Sequence, residues 1–431
     1  MREVEPTRTV DLSWPYLQAA VHSPVRAVLA KRIFLSSVSG LKLSIIMPTG
    51  EVFGDGRGKF GSGGDPALRV LNAHDFFSRI GRDGALGFGE AYLAGDWAVG
   101  DTSAPTGGDS DELAAWLRIY GASLRGKEST FLIRLRNLWH RSLPLSEPNS
   151  EDGARRNVQA HYDITPELFE LFLDPSMTYS SGWFDAGDDL PAAQERKIDA
   201  ILDLAQVGRG THMLDIGFGF GGLAIRAACK RAAEVTGITL SEEQRLYAID
   251  RADRLKLGDQ VSFLLEDYRQ HRGSYKSITC VEMMEAVGAE YWADFLSAVD
   301  GLLAPDGNFA LQVITFPHAK MLASKQDFSW VDRYIFPGGT LPSLREISRI
   351  LSRATSLEIV QARRLSDSYA RTLRLWRLRF LAARETVLGL GFDDTFVRLW
   401  TLYFAYFEAA FGSRYCDVWQ LQIRKTGSYV P

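Results

Sequence analysis

Cysteine is scarce: there are three in 431 residues, Cys229, Cys280 and Cys416, far apart along the chain. That is too few and too scattered for a disulfide framework or a thiolate zinc cluster, so a reducing cytoplasm is the expected home and no metal site is expected. Long apolar runs are missing too, since none approaches the roughly 18 residues of a membrane-spanning helix. Contact with a membrane would therefore be peripheral, at its inner face. The N-terminal "MREVEPTRTVDLSWPYL" mixes acids with bases and has no long apolar core, so it does not read as a secretory signal. Nor is there an excess of positive charge: 49 Lys and Arg against 53 Asp and Glu leave a net charge of -4. Nothing draws the whole chain to nucleic acid, and any basic function must be a local patch. Internal repeats and low-complexity tracts are absent.

What is present is 46% hydrophobic content, enough for sizeable cores in two domains. Residues 1–141 read as a smaller mixed α+β domain. "YLQAAVHSPVRAVLAKRI" has helical spacing, "LKLSIIMPTGEVFGDG" reads as a hairpin turning at Pro48 to Gly50, and "LRVLNAHDFFSRIG" as a strand followed by a helix. The polar, proline-bearing stretch at 142–156 reads as a linker. From 157 to 431 apolar strands alternate with amphipathic helices, the pattern of an α/β domain built on a mostly parallel sheet. Seven strands are expected: "HMLDIG", "EVTGITL", "VSFLLED", "YKSITCVEM", "NFALQVIT", "SLEIVQARRL" and "DVWQLQIRK". Ligands of such a sheet sit at the strand C-termini.

"LDIGFGFGGLAIRAA" is a strand running into glycines and then a helix. Such a turn lets backbone approach a ligand and aims helix N–H groups at it. Gly217, Gly219 and Gly222 also satisfy the dinucleotide G-x-G-x-x-G pattern, so a nicotinamide dehydrogenase is an alternative on this loop alone. Asp215, just before the glycines, is placed to hold a polar or cationic group, and "VSFLLEDY" delivers Glu266 and Asp267 where an adenine amino group could be read. Together they look like an S-adenosylmethionine site. In "CVEMMEAVG", Glu282 and Glu285 interrupt an apolar run, and burying a carboxylate is costly unless a partner or a reaction uses it.

Several further stretches, in order, are "NVQAHYDITPELFELFLDPSMTYSSGWF", "GITLSEEQ", "VEMMEAVG", "RYIFPGGTLPS", "SYARTLRLWRLRF" and "YFAYFEAAFGSRYCDVWQLQIRK". Over roughly 150 to 425 the chain resembles the cyclopropane-fatty-acyl-phospholipid synthases and related fatty-acid C-methyltransferases. The resemblance implies a Rossmann-like class I methyltransferase sheet that uses S-adenosylmethionine. Tyr162, Tyr179 and Ser180 are then expected to contact that cofactor, with Thr239 and Gln244 near its ribose and adenine. Such enzymes methylate a cis double bond in a phospholipid acyl chain and stabilise the resulting carbocation on aromatic faces, here offered by Tyr179, Trp183, Phe184 and Tyr369. A bound bicarbonate then removes a proton. By resemblance Glu285 holds bicarbonate, assisted by Tyr369, Ser181 and Gln312, whereas Glu282 reads as a structural partner.

The pattern departs from the family at the proton-accepting end. "MTYSS" puts Ser181 where cysteine is usual, Gln312 replaces a histidine found in some members, and Ser368 precedes the retained Tyr369. These changes favour a methyl-branched alkene, which a partner oxidoreductase could process, slightly over ring closure. For docking on a membrane, "FLIRLRNLWHRSL" at 131–143 has interfacial character. Arg363, Arg364, Arg371, Arg374, Arg377 and Arg379 offer a second basic stretch or, as ordinary amphipathic surface, pair with acids. A homodimer is the family expectation. The competing functions are a small-molecule methyltransferase on the same fold and a catalytically silent lipid-binding protein.

Overall fold

The computed structural model describes residues 14–17, 23–56, 65–100, 109–124, 165–324 and 328–426. The chain forms two compact units. One comprises Met1–Pro144, Phe328–Ile335 and Leu373–Tyr415; the other comprises Leu145–Asp327, Phe336–Thr372 and Cys416–Pro431. The expected linker at 142–156 and the stretch at 131–143 lie outside the described residues. The uninterrupted domain expected over 157–431 is instead divided, because 328–335 and 373–415 group with the N-terminal segment. The physical reason is the helix Asp394–Gly412. It buries Trp400, Phe404 and Phe411 within the first unit, and in that unit it packs on the helix Ser110–Leu124. Arg377, fully buried, bonds Glu408 at 2.8 Å and Asp111 at 2.7 Å inside the same unit.

In the first unit, β1 (Ser44–Ile46) pairs antiparallel with β2 (Val52–Phe53). Gly50 turns the hairpin at φ +87°, a conformation that glycine adopts without strain. β3 (Ala67–Val70) lies parallel to β1, and β4 (Trp97–Val99) is antiparallel to β3. The helix Ala73–Asp83 follows β3 and is capped by the Asn72 side chain, which accepts from Asp75 N. The hairpin, strand and helix expected from the sequence are all present.

The second unit is built on seven strands: β5 (His212–Ile216), β6 (Glu234–Thr239), β7 (Val261–Leu265), β8 (Tyr275–Val281), β9 (Leu303–Thr315), β10 (Leu357–Arg364) and β11 (Asp417–Lys425). Their order is β10-β11-β9-β8-β5-β6-β7. β5 to β9 run parallel, while β11 is antiparallel to both β9 and β10. Side chains alternate across the sheet, so Met213 joins one core with the helices Leu190–Leu204, Gly222–Arg231 and Glu242–Arg254. Leu214 and Ile216 join another with the helices Trp292–Leu302 and Leu344–Ala354. All seven expected strands are there, and the fold is α/β, Rossmann-like, with a reversed strand inserted at one side. The order reverses at β5, which places the first crossover loop and the ends of β6 and β8 around one crevice.

Candidate active site

That crevice is a cavity at the C-terminal ends of the parallel strands. It is lined by the glycine turn after β5, the segment Met177–Ser180, the ends of β6, β7 and β8, and Lys197 from the helix Leu190–Leu204. Of the residues expected to hold a cofactor, Tyr179, Ser180, Asp215, Gly217, Gly219, Thr239, Gln244 and Glu266 all line it. Tyr162 lies outside the described residues. Asp267 does not line the cavity; its carboxylate is taken by Arg269, whose Nη2 lies 2.6 Å from Oδ2. It is Arg269 and Tyr268 that reach the wall at this point.

The glycine turn is required by geometry. Gly217 and Gly219 have φ of +76° and +58°. At Gly217 a Cβ would come within 2.7 Å of Met283 Cγ, and at Gly222 within 2.5 Å of the Ser176 carbonyl. Beside this turn, Asp215 is fixed by sheet register: it sits opposite Thr279 of β8, whose hydroxyl donates to Oδ1 at 2.8 Å. Oδ2 is buried and has no hydrogen-bond partner among the described residues. Burial pushes the carboxyl up to about 7, against the lowering effects of the Thr279 hydroxyl and the Lys197 charge. An uncompensated buried carboxylate oxygen on a cavity wall is suited to a cationic ligand group.

One side of the wall is organised by Glu282. It follows β8 directly, with its N–H donating to the Gln312 carbonyl at 2.8 Å. It adopts φ +51°, a left-handed conformation that costs a non-glycine residue about 1 kcal/mol or more. Three donors from distant parts of the chain reach its carboxylate. Oε1 accepts from the Ser181 backbone N–H at 3.0 Å and from Gln312 Nε2 at 2.7 Å, and Oε2 accepts from the Tyr369 hydroxyl at 2.7 Å. Gln312 is oriented in turn by Gln420, its register partner on β11, whose amide donates to Gln312 Oε1 at 3.0 Å. The three residues expected to act with Glu285 thus converge on Glu282. The Ser181 hydroxyl takes no part, since it donates to the Gly182 carbonyl at 2.9 Å. Ser368 is likewise structural, accepting from Phe184 N at 3.1 Å.

Glu285 lies within the helical turn Met284–Val287. Its Oε1 accepts from Ile314 N at 2.5 Å, and Oε2 is buried with no hydrogen-bond partner among the described residues. Burial first, and the Glu282 charge second, push this carboxyl up to about 8. Glu282 is raised too, by burial, against the lowering effects of its donors and of Lys197. Lys197 is a cavity residue the sequence does not reveal. Fully buried, it donates to Ser180 Oγ at 2.6 Å, and burial lowers it to about 8 despite the charges of Glu282, Asp174 and Asp215.

Two aromatic faces expected to meet a carbocation are otherwise engaged. The Arg363 guanidinium lies 4.3 Å from the Trp183 ring centre, and that of Arg371 lies 4.3 Å from Phe184. Tyr179 alone of the expected four lines the cavity. The basic stretch is also largely spent: Arg364 pairs with Asp417, Arg374 with Asp111, and Arg377 with Asp111 and Glu408. Among the described residues, no helix is long and apolar enough to cross a membrane.

The sequence model described as mycolic acid cyclopropane synthetase matches residues 149–421. The chain belongs to that family. It is 39% identical to the tuberculostearic acid methyltransferase UfaA1 of Mycobacterium tuberculosis, across 98% of either chain. It is 32% identical to the cyclopropane-fatty-acyl-phospholipid synthase of Escherichia coli, across 84% of this chain and 88% of that one. Among solved structures, the cyclopropane synthase MmaA2 of Mycobacterium tuberculosis is similar with a TM-score of 0.59 at 28% identity, over 63% of this chain and 98% of that chain. The mycolic acid cyclopropane synthase CmaA1, complexed with SAH and CTAB, gives 0.57 at 30% identity over the same shares.

Proposed function

We propose that the protein is an S-adenosylmethionine-dependent C-methyltransferase acting on the cis double bond of an unsaturated acyl chain in a membrane phospholipid, with a methyl-branched acid as the preferred product. The observation that carries this reading is the meeting, on the walls of one cavity, of the Asp215 carboxylate, with one oxygen uncommitted, and the hydrogen-bonded carboxylate of Glu282. Family membership supports it, as does the 39% identity to a protein named for methylation to tuberculostearic acid.

The residues present fit S-adenosylmethionine. Asp215 would hold the ammonium through its uncommitted oxygen, the Gly217 and Gly219 backbone would pass close to the cofactor, and Thr239, Gln244 and Glu266 would face its ribose and adenine. When bound, it supplies a methyl group as an electrophile. The chain's part is to hold the alkene in line with that methyl, exclude water and accept the proton released afterwards. An alkene is a weak nucleophile, and a dry cavity keeps water from competing for the cation.

Bicarbonate fits poorly. The donors it would use, Ser181 N–H, Gln312 and Tyr369, already bind Glu282, and two buried carboxyls stand where a further anion would have to sit. Loss of a proton without ring closure leaves an alkene, so a reducing partner is required to reach a saturated branched acid. Because the acyl chain starts in a bilayer, the protein works as a peripheral enzyme at a membrane surface.

The test is mass spectrometry of fatty acids from cells that express the protein and contain cis-monounsaturated phospholipid. A gain of one methylene unit, with fragmentation that marks a branch, is expected. No gain, with cofactor binding confirmed, would point instead to a missing partner or a silent lipid-binding protein.

A further inference from the structure

Glu282 is the acid that the sequence pattern sets aside, yet it collects each donor that the resemblance allots to bicarbonate. The Ser181 N–H, the Gln312 amide and the Tyr369 hydroxyl meet its two oxygens at 3.0, 2.7 and 2.7 Å. It lines the same cavity as Asp215 and the glycine turn. Its backbone is held in a left-handed conformation, strain that persists only where the surroundings over-determine it and that concentrates at working sites. The lock on Gln312 from Gln420 fixes which end of the amide faces the carboxylate. Such a set is preorganised for an anion, and the anion it holds belongs to the chain.

We propose that Glu282 is the general base of this enzyme, a side-chain carboxylate standing in the place of bicarbonate and taking the proton that leaves the methylated acyl chain. The inference rests on the methyl-transfer reading above and assigns its proton acceptor. After methylation the acyl chain carries a carbocation beside the new branch. A C–H bond on a carbon next to the cationic centre breaks. Its proton forms an O–H bond on Glu282, and its electron pair becomes a new C=C bond that discharges the cation. The carboxylate becomes a neutral carboxylic acid and loses the proton to solvent once product departs. No oxidant or co-reactant is needed, and the lipid product is a methyl-branched alkene.

The surroundings suit that role. Burial raises the Glu282 carboxyl from its ordinary value, while the hydrogen bonds from Gln312, Tyr369 and Ser181 and the Lys197 charge favour the carboxylate form that accepts a proton. A mobile bicarbonate would have to displace these bonds and join two buried acids with one buried lysine for compensation.

The experiment uses the purified full-length protein, S-adenosylmethionine and vesicles of cis-monounsaturated phosphatidylglycerol, in carbon-dioxide-free buffer with or without added bicarbonate. The expected result is equal methyl transfer in both buffers, with an alkene product. Glu282→Gln should lower turnover by about 100-fold or more, as loss of a general base does, while cofactor affinity by calorimetry stays within about threefold. In Glu282→Ala, added formate should restore part of the lost turnover. Turnover by the unaltered enzyme that collapses without bicarbonate would overturn the proposal, and this arm needs no variant to fold. Full turnover by Glu282→Gln would overturn it too. If the unaltered enzyme binds cofactor yet methylates no lipid in either buffer, the underlying reading falls and the proposal with it.

Discussion

Asp215→Asn is expected to weaken S-adenosylmethionine binding by about 10- to 100-fold, the worth of one hydrogen bond between charged groups. The Thr279 hydroxyl still meets an oxygen of the amide, so the local fold should survive. What disappears is the negative charge beside the cavity, on a carboxylate whose buried Oδ2 has no hydrogen-bond partner among the described residues. The pH dependence gives a second signature. The carboxyl is pushed up to about 7 by burial, and only its ionised form attracts an ammonium. Affinity in the unaltered protein should therefore rise as pH increases through 7 and level off above it, whereas Asp215→Asn should lack this step. Calorimetric titration between pH 6 and 8.5 checks both points. An unchanged affinity would remove Asp215 from the cofactor site.

Glu285→Gln should change how stability varies with pH. The folded-state carboxyl is raised to about 8, mainly by burial, against about 4.3 in an unfolded chain. A raised carboxyl makes the native state bind more protons than the unfolded one, so its stabilising contribution is complete below the unfolded value. That contribution is lost progressively as pH climbs toward 8. Glutamine keeps an oxygen for Ile314 N–H and never ionises. The variant should gain on the unaltered protein by up to about 1.4 kcal/mol per pH unit across that window, readable as a diverging melting temperature between pH 5 and 8. Parallel melting curves would show that Glu285 ionises freely in the folded protein.

The local grammar of the chain carries well into three dimensions. A strand followed by glycines and a helix is written in consecutive residues, so the turn at Gly217 and Gly219 and the place of Asp215 could be read directly. The seven strands were legible for the same reason, each being a short apolar run between breakers. The division of labour between Glu282 and Glu285 was not. The donors that single out Glu282 come from positions 101, 30 and 87 residues away, and only the folded sheet brings them together. Lys197 was hidden differently: a lysine on an amphipathic helix ordinarily faces water, and nothing local marks this one as turned inward. Trp183 and Phe184 looked available for a cation because sequence cannot show that Arg363 and Arg371 already cover them. The domain boundary failed at 373–415 because the pattern gives a helix's apolar character but not the unit against which it is buried.

The most direct test is to incubate the purified protein with vesicles of cis-monounsaturated phospholipid and S-adenosylmethionine carrying an isotopic label in its methyl group, then analyse the intact lipid by mass spectrometry. The account predicts the label on the acyl chain, bonded to a carbon of the former double bond. Label found only in unreacted cofactor, or transferred to the head group, would contradict it.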